Sequence, residues 1–77
     1  MSRRRPTLRD LFGTRLRVLR NAANLSQEKL ALRAGMDRSY VGQVERGEVN
    51  ISLDNVGKLA SGLGMEPRSL FEFGPVE

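Results

Sequence analysis

Residues 25–47, LSQEKLALRAGMDRSYVGQVERG, predict two short helices joined by a tight turn. Ser26 is placed to cap the first helix, and Leu25 and Leu30 have the spacing of a hydrophobic staple around that cap. Gly35 ends the helix, since glycine readily adopts the positive φ of such a turn. The next helix begins almost at once, so the two helices cross steeply, as in a helix-turn-helix.

The second of these helices, predicted over residues 37–46, has an apolar and a polar face. At about 100° per residue, Val41 and Val44 point toward the core. The opposite arc carries three side chains that suit DNA base edges in the major groove: Arg38, Ser39 and Gln43. Gly42 lies in the same arc, where a flat spot would let the helix approach DNA closely. The alternative is an ordinary solvated helix face.

Caps, staples and glycine stops extend this pattern along the chain. Thr7, Asp37 and Ser52 are the other predicted N-caps. The predicted helices span residues 8–23, 26–34, 37–46 and 52–63, followed by a short fifth helix that begins at Pro67. No segment alternates with period two, so no sheet is expected. The predicted fold class is all-α, a compact domain of five short helices.

Positive charge is concentrated near the N-terminus. Residues 1–20 hold seven arginines against one acid, whereas the rest of the chain holds six basic residues against eight acids. Arg3, Arg4 and Arg5 suggest an arm that contacts the minor groove or the backbone of an anionic polymer, and the alternative is a solvated tail. We therefore predict a flexible arm over residues 1–6, one domain over 7–73 and a tail over 74–77.

Composition excludes several classes of protein. The 77 residues contain neither Cys nor His, so no disulfide, thiol nucleophile or zinc site is expected. No apolar run approaches the roughly 20 residues that span a bilayer, and no apolar segment follows the basic N-terminus as in a signal peptide. We expect a cytoplasmic module with no metal, cofactor, membrane partner or evident small-molecule ligand. Its carboxylates are explained as helix caps, which argues against an enzyme.

Three groups of residues resemble the Cro/repressor-like (XRE) helix-turn-helix family, over about residues 10–72. They are Arg15-Leu16-Arg17, Leu19-Arg20 and Leu25–Ala31; Gly35–Gly47; and Leu59-Ala60, Leu63-Gly64 and Leu70-Phe71. Within this family, Asp37–Val41, Val44–Gly47 and Asn50–Leu53 most resemble controller proteins of restriction–modification systems. The resemblance implies a λ-repressor-like DNA-binding domain with the helix-turn-helix in helices 2 and 3.

The resemblance also implies roles for individual residues. The predicted contacts to DNA phosphates are Gln27, Tyr40, Arg46 and Asn50. For Tyr40 the alternative is a partly buried aromatic side chain at the edge of the core. Arg20 and Glu45 resemble the family's internal ion pair, which ties helix 1 to the end of helix 3. Asn24 stands where a glycine is usual, which should matter little because asparagine tolerates the left-handed conformation.

A single helix-turn-helix buries too little surface for tight specific binding, so we expect a homodimer on a palindromic operator in double-stranded DNA. The predicted dimer surface is Leu63, Met65, Leu70, Phe71 and Phe73. The alternative for Leu70 and Phe71 is that they close the monomer core.

The predicted function is transcriptional regulation in a bacterium or phage. A controller protein would activate its own promoter and the restriction gene, and would repress at high dose. The alternatives are a phage-type repressor or antitoxin-like regulator, and a protein-interaction module that has lost DNA binding. Such a module would lack the salt-dependent DNA affinity of a regulator.

Overall fold

The computed structural model describes residues 5–73, and all regular structure in that range is helical. Four α-helices and a 3₁₀ helix follow one another: α1 Leu8–Ala22, α2 Gln27–Ala34, α3 Arg38–Glu45, α4 Leu53–Leu63 and the 3₁₀ helix Pro67–Phe71. The all-α prediction is confirmed, and the helix boundaries agree with it to within about one residue. Arg5 is exposed, whereas Arg3, Arg4 and the predicted tail lie outside the described residues.

The helix starts follow the predicted caps with one exception. Thr7 and Asp10 form a reciprocal capping box, in which the Asp10 amide donates to Thr7 Oγ1 at 3.1 Å and the Thr7 amide donates to Asp10 Oδ2 at 2.8 Å. The hydroxyls of Ser26 and Ser52 each accept from the amide three residues on. Asp37 has the extended backbone of an N-cap residue, but its side chain makes no capping hydrogen bond.

Left-handed backbone occurs in every connection between helices of the described chain, at Asn24, Gly35, Gly47 and Gly64. Gly35 ends α2 with φ of 71°, and α3 begins three residues later, at Arg38. Asn24, in the α1–α2 connection, has φ of 59° and is the single non-glycine residue with positive φ in the described chain. Asparagine tolerates this conformation, as expected at a position where the resemblance places a glycine.

The predicted short fifth helix is present, but as a 3₁₀ helix, so the described chain has four α-helices where five helices were predicted. The amide of Ser69 donates to the carbonyl of Glu66 at 3.0 Å, which is the three-residue spacing of a 3₁₀ turn. The segment spans five residues from Pro67, and 3₁₀ hydrogen bonding is common in such short connecting pieces. Arg15 of α1 holds this segment by donating from Nε to the Ser69 carbonyl at 3.0 Å.

The core lies between α1, α2, α3 and α4 and is closed by the 3₁₀ helix. The most deeply buried large side chains are Leu16, Leu30, Val41, Leu59 and Leu70.

Gly13 is also buried, at the point where α1 meets the end of α3. A Cβ added there would collide with the carbonyl oxygen of Val44 and lie 2.6 Å from that of Glu45. The absence of a side chain at Gly13 thus lets α1 approach the backbone of α3 directly.

Candidate nucleic-acid interface

The exposed face of α3 carries the three residues predicted to read bases. Arg38, Ser39 and Gln43 are exposed, while Val41 and Val44 on the opposite face are buried. The buried valines fix the rotation of the helix about its axis, which fixes the outward direction of the three polar side chains. Along this face runs a shallow polar notch of about 240 Å³, and its lining also includes Gln27 of α2, Gly42 and Arg46.

Gly42 forms the floor of this notch. It is buried rather than open, because the side chains of Gln27 and Arg46 lie over it. A Cβ at Gly42 would lie 3.1 Å from Arg46 Nη1 and 3.5 Å from Gln27 Oε1. The prediction of a flat spot at Gly42 that faces DNA is therefore wrong. The absence of a side chain at this glycine makes room for the side chains of Gln27 and Arg46.

Glu45, the last residue of α3, lies at the centre of a buried network. Its carboxylate is fully buried. Arg20 donates to it twice, from Nε to Oε2 at 2.6 Å and from Nη2 to Oε1 at 3.1 Å. Arg17 donates from Nε to Oε1 at 3.3 Å, and Gln27 from Nε2 to Oε1 at 3.0 Å. The predicted ion pair of Arg20 and Glu45 is present and joins α1 to α3. The hydrogen bond from Gln27 adds α2 to the same network.

The pKa of Glu45 reflects two opposing effects. Burial raises this pKa, because it disfavours the charged carboxylate. The pKa nevertheless lies below its ordinary value, because the interactions that lower it outweigh burial. These are hydrogen bonds from Arg20, Gln27 and Arg17 and the positive charge of Arg20. Glu45 is therefore held as a carboxylate at neutral pH, with its charge balanced inside the protein rather than presented to DNA.

Gln27 links this network to the α3 face. Its Nε2 donates to Glu45, so its Oε1 is turned toward Gly42. Gln27 is also the first residue of α2, where a backbone N–H has no acceptor within the helix. The positive end of the helix dipole lies at the same place, which suits a phosphate.

Of the other predicted phosphate contacts among the described residues, Arg46 lines this notch, and Tyr40 and Asn50 do not. Asn55 Nδ2 of α4 donates to the hydroxyl oxygen of half-buried Tyr40 at 3.1 Å, which leaves the hydroxyl hydrogen of Tyr40 to donate elsewhere. Asn50 is exposed in the α3–α4 loop. Arg46, just after α3, donates from Nε to Glu48 Oε2 at 2.8 Å and from Nη2 to Oε1 at 3.2 Å.

This arrangement matches a known family. The helix-turn-helix family model HTH_3 matches residues 16–70, which include α2 and α3 entirely. The chain belongs to the XRE-type helix-turn-helix family. That family consists of transcription regulators and not of enzymes.

Several relatives of this helix-turn-helix protein are control proteins. It is 43% identical to the control protein C.BamHI of Bacillus amyloliquefaciens over 67 residues, which cover 86% of this chain and 83% of that protein. It is 41% identical to the control protein C.MunI of a Mycoplasma species over 61 residues, or 78% of this chain and 82% of that protein. The crystal structure of the restriction–modification controller protein C.AhdI from Aeromonas hydrophila has 60% identity and a TM-score of 0.81, covering 82% of this chain and 96% of that one.

Two residues of the predicted dimer surface are wrongly assigned. Leu63 and Leu70 are buried in the core of the helix-turn-helix monomer. Leu63 shares the inward face of α4 with Leu59, and the tight 3₁₀ turn points Leu70 inward. Met65 is partly buried against the same core.

An exposed apolar groove lies elsewhere on this helix-turn-helix domain. Leu8, Leu53 and Phe71 are exposed along it, and its volume is about 440 Å³. The ring of Phe71 is 6.3 Å from that of half-buried Phe73 between centroids, and 5.2 Å from that of buried Phe12. No α3 residue lines the groove, so this apolar surface and the polar notch are separate.

Three features of the site were not predicted from the sequence: the close approach at Gly13, the hydrogen bond from Gln27 to Glu45, and the Arg46–Glu48 pair. A glycine inside an otherwise continuous helical pattern is a signal for the first of these. Within residues 5–73, no helix is long and apolar enough to cross a membrane.

Proposed function

We propose that this protein is a sequence-specific DNA-binding transcription regulator, the controller protein of a restriction–modification system, and that it acts as a homodimer on a palindromic operator. The observation that carries the proposal is the face of α3. It presents Arg38, Ser39 and Gln43 to solvent, and the buried valines behind them set their direction. The control proteins among the relatives support the assignment to restriction–modification.

In the proposed complex, α3 lies in the major groove. Arg38 donates both ends of its guanidinium to O6 and N7 of a guanine, Gln43 pairs with an adenine, and Ser39 contacts an adjacent base edge. These side chains carry sequence information, whereas contacts to phosphates set the register of the protein on DNA.

The proposed phosphate contacts surround α3. The first turn of α2 at Gln27 faces one phosphate, and the free hydroxyl hydrogen of Tyr40 donates to another. Asn50 and Arg46 contact the backbone from the loop after α3. Gln27 and Arg46 line the notch and Tyr40 lies on α3, which supports a shared DNA surface, whereas Asn50 lines the apolar groove.

The N-terminal arm adds attraction that does not depend on sequence. We propose that residues 1–6 extend from a domain formed by 7–73, and that Arg3, Arg4 and Arg5 follow the minor groove or the backbone. Residues 74–77 are proposed to be a tail outside the domain. A regulator of this kind acts in the cytoplasm, bound to the nucleoid.

The dimer is proposed to form through the apolar groove. Phe71 and Phe73 of the predicted dimer surface remain candidates, joined by Leu8 and Leu53. Three exposed large apolar side chains around one groove form a patch of the kind that marks interaction sites. Because the groove is separate from α3, two copies joined there keep both α3 faces free to enter successive major grooves.

The proposal is tested by letting the purified full chain select binding sites from a random pool of duplex DNA. We expect two inverted half-sites whose centres are about one helical turn apart. We also expect the logarithm of the binding constant to fall linearly with the logarithm of salt concentration. A pool with no enriched sequence would overturn the proposal, and the absence of any salt-dependent affinity would favour a protein-interaction module.

A further inference from the structure

Arg46 and Glu48 form an ion pair on opposite sides of Gly47. Gly47 has φ of 73°, and this left-handed residue reverses the chain just after α3 so that the two side chains meet. Both hydrogen bonds use one edge of the guanidinium, the edge formed by Nε and Nη2. About half of each side chain is exposed, with 52% for Arg46 and 50% for Glu48.

The remaining nitrogen of Arg46 lies on the recognition side. Nη1 sits over Gly42, 3.1 Å from the point that a Cβ would occupy there. Arg46 is part of the lining of the notch that Arg38 and Gln43 also line. Glu48 therefore holds the Nε–Nη2 edge of the guanidinium, and Nη1 remains on the side of the α3 face.

We infer that Glu48 is a positioning residue for DNA recognition: it directs Arg46 across Gly42 into the notch, so that Nη1 donates to an acceptor on the operator. The inference rests on the proposed function and deepens it. It also gives Gly42 a role, because the missing Cβ leaves the space that Nη1 occupies. Arg46 thus contributes to the choice of sequence as well as to backbone contact.

Charge alone predicts a different effect of removing Glu48 on DNA binding. Glu48 is an acid beside a DNA-binding face, so its removal should strengthen binding to any DNA through the added positive charge. If Glu48 positions Arg46, its removal also weakens the contact that depends on geometry. Affinity for nonspecific DNA then rises while discrimination falls, and the ratio of the two affinities separates these effects.

The experiment compares Glu48→Gln with Glu66→Gln. Glu66 also pairs with an arginine two residues away, Arg68, at 3.0 Å, but it lies between α4 and the 3₁₀ helix rather than beside α3. The two variants therefore make the same change in net charge and remove the same kind of pair. The measured quantity is the affinity for the enriched site divided by the affinity for a scrambled duplex of equal length, at one salt concentration.

For Glu48→Gln we expect this ratio to fall about three- to fivefold, the range for an exposed charged pair that loses its geometry. For Glu66→Gln we expect the native ratio. An equal ratio in the two variants would overturn the inference and leave the proposed function standing. Failure of the native chain to enrich any sequence would overturn both.

Gly42→Ala is the second variant. Its Cβ would lie 3.1 Å from the present position of Nη1, so the guanidinium must shift by a few tenths of an ångström, whereas alanine favours the helical conformation more than glycine does. We expect a similar loss of discrimination together with an unchanged or higher melting temperature. The double variant Glu48→Gln/Gly42→Ala should lose little more than either single variant, since both act through Arg46. Full additivity of the two losses would contradict a shared route through Arg46.

Discussion

Arg20 Nε lies 2.6 Å from Glu45 Oε2, and this contact ties the last turn of α1 to the final residue of α3. The same carboxylate accepts a hydrogen bond from Gln27 at the start of α2. One buried charge thus sets the mutual positions of the three helices that form the recognition face. Removal of either partner leaves the other ion buried without its counter-charge, which is costly in a protein interior.

The Arg20–Glu45 pair should make stability depend on pH in a defined direction. The pKa of Glu45 is lowered in the folded protein, so its contribution is fully present above the unfolded pKa of about 4.3 and is lost as pH falls through the folded value. We expect Glu45→Gln to reduce the free energy of unfolding at pH 7 by about 3 kcal/mol. The difference between the native and variant proteins should shrink below about pH 4. Urea titrations at several pH values measure this, and a difference that grows toward low pH would contradict it.

Gly13 and Gly57 form a matched pair of helical glycines. A Cβ at Gly13 would meet the backbone of Val44 and Glu45, which cannot rotate away, whereas a Cβ at Gly57 in α4 would meet nothing within 4 Å. We expect Gly13→Ala to destabilise the protein by about 2 kcal/mol or more through overpacking.

Gly57→Ala should instead stabilise it by about 0.5–1 kcal/mol, since alanine loses less backbone entropy than glycine in a helix. Chemical denaturation of the two variants measures both effects. Equal effects at the two positions would show that α1 does not approach α3 as described.

Local signals in the sequence predict most of the fold. Caps such as Ser26 and Ser52 and the stop at Gly35 act over three or four residues, so the helix boundaries follow from short stretches of sequence. Helical periodicity also separates Arg38 and Gln43 from the buried valines correctly.

The features that the sequence does not reveal depend on how helices pack. The burial of Leu70, which the sequence left as an alternative, depends on the packing of the 3₁₀ helix against α1 and α4. Gly13 meets residues more than thirty positions away, and Gln27 reaches Glu45 because the α2–α3 crossing brings them together. Helical periodicity describes one helix at a time, so it does not contain these contacts.

Leu53 should contribute to the dimer and not to the monomer fold. It is 84% exposed in the first turn of α4, beside the apolar groove. We expect Leu53→Glu to change the free energy of unfolding of the monomer by less than about 0.5 kcal/mol and to shift the protein toward monomer in sedimentation equilibrium. Leu32→Glu is the control, since Leu32 on α2 is 74% exposed and does not line the groove. A dimer that persists in Leu53→Glu as it does in Leu32→Glu would show that the groove is not the dimer interface.

The N-terminal arm should add affinity without adding specificity. Deletion of residues 2–5 removes three arginines. If each neutralises one phosphate, the slope of log K against log salt should become less steep by up to about 2.7. Binding to the enriched site and to a scrambled duplex should weaken by similar factors. Titrations at four salt concentrations measure the slope, and a selective loss at the enriched site would instead assign base reading to the arm.

If the exposed face of α3 reads the operator, Arg38→Ala removes one of its base contacts. The measurement is the DNA enriched from the same random pool by the native chain and by the variant, with affinities for the enriched site. We expect the variant to lose the preference for guanine at one position in each half-site, to keep the remaining positions, and to bind about 1–3 kcal/mol more weakly per half-site. If both proteins enrich the same sequence with equal preference at every position, Arg38 does not read a base of the operator.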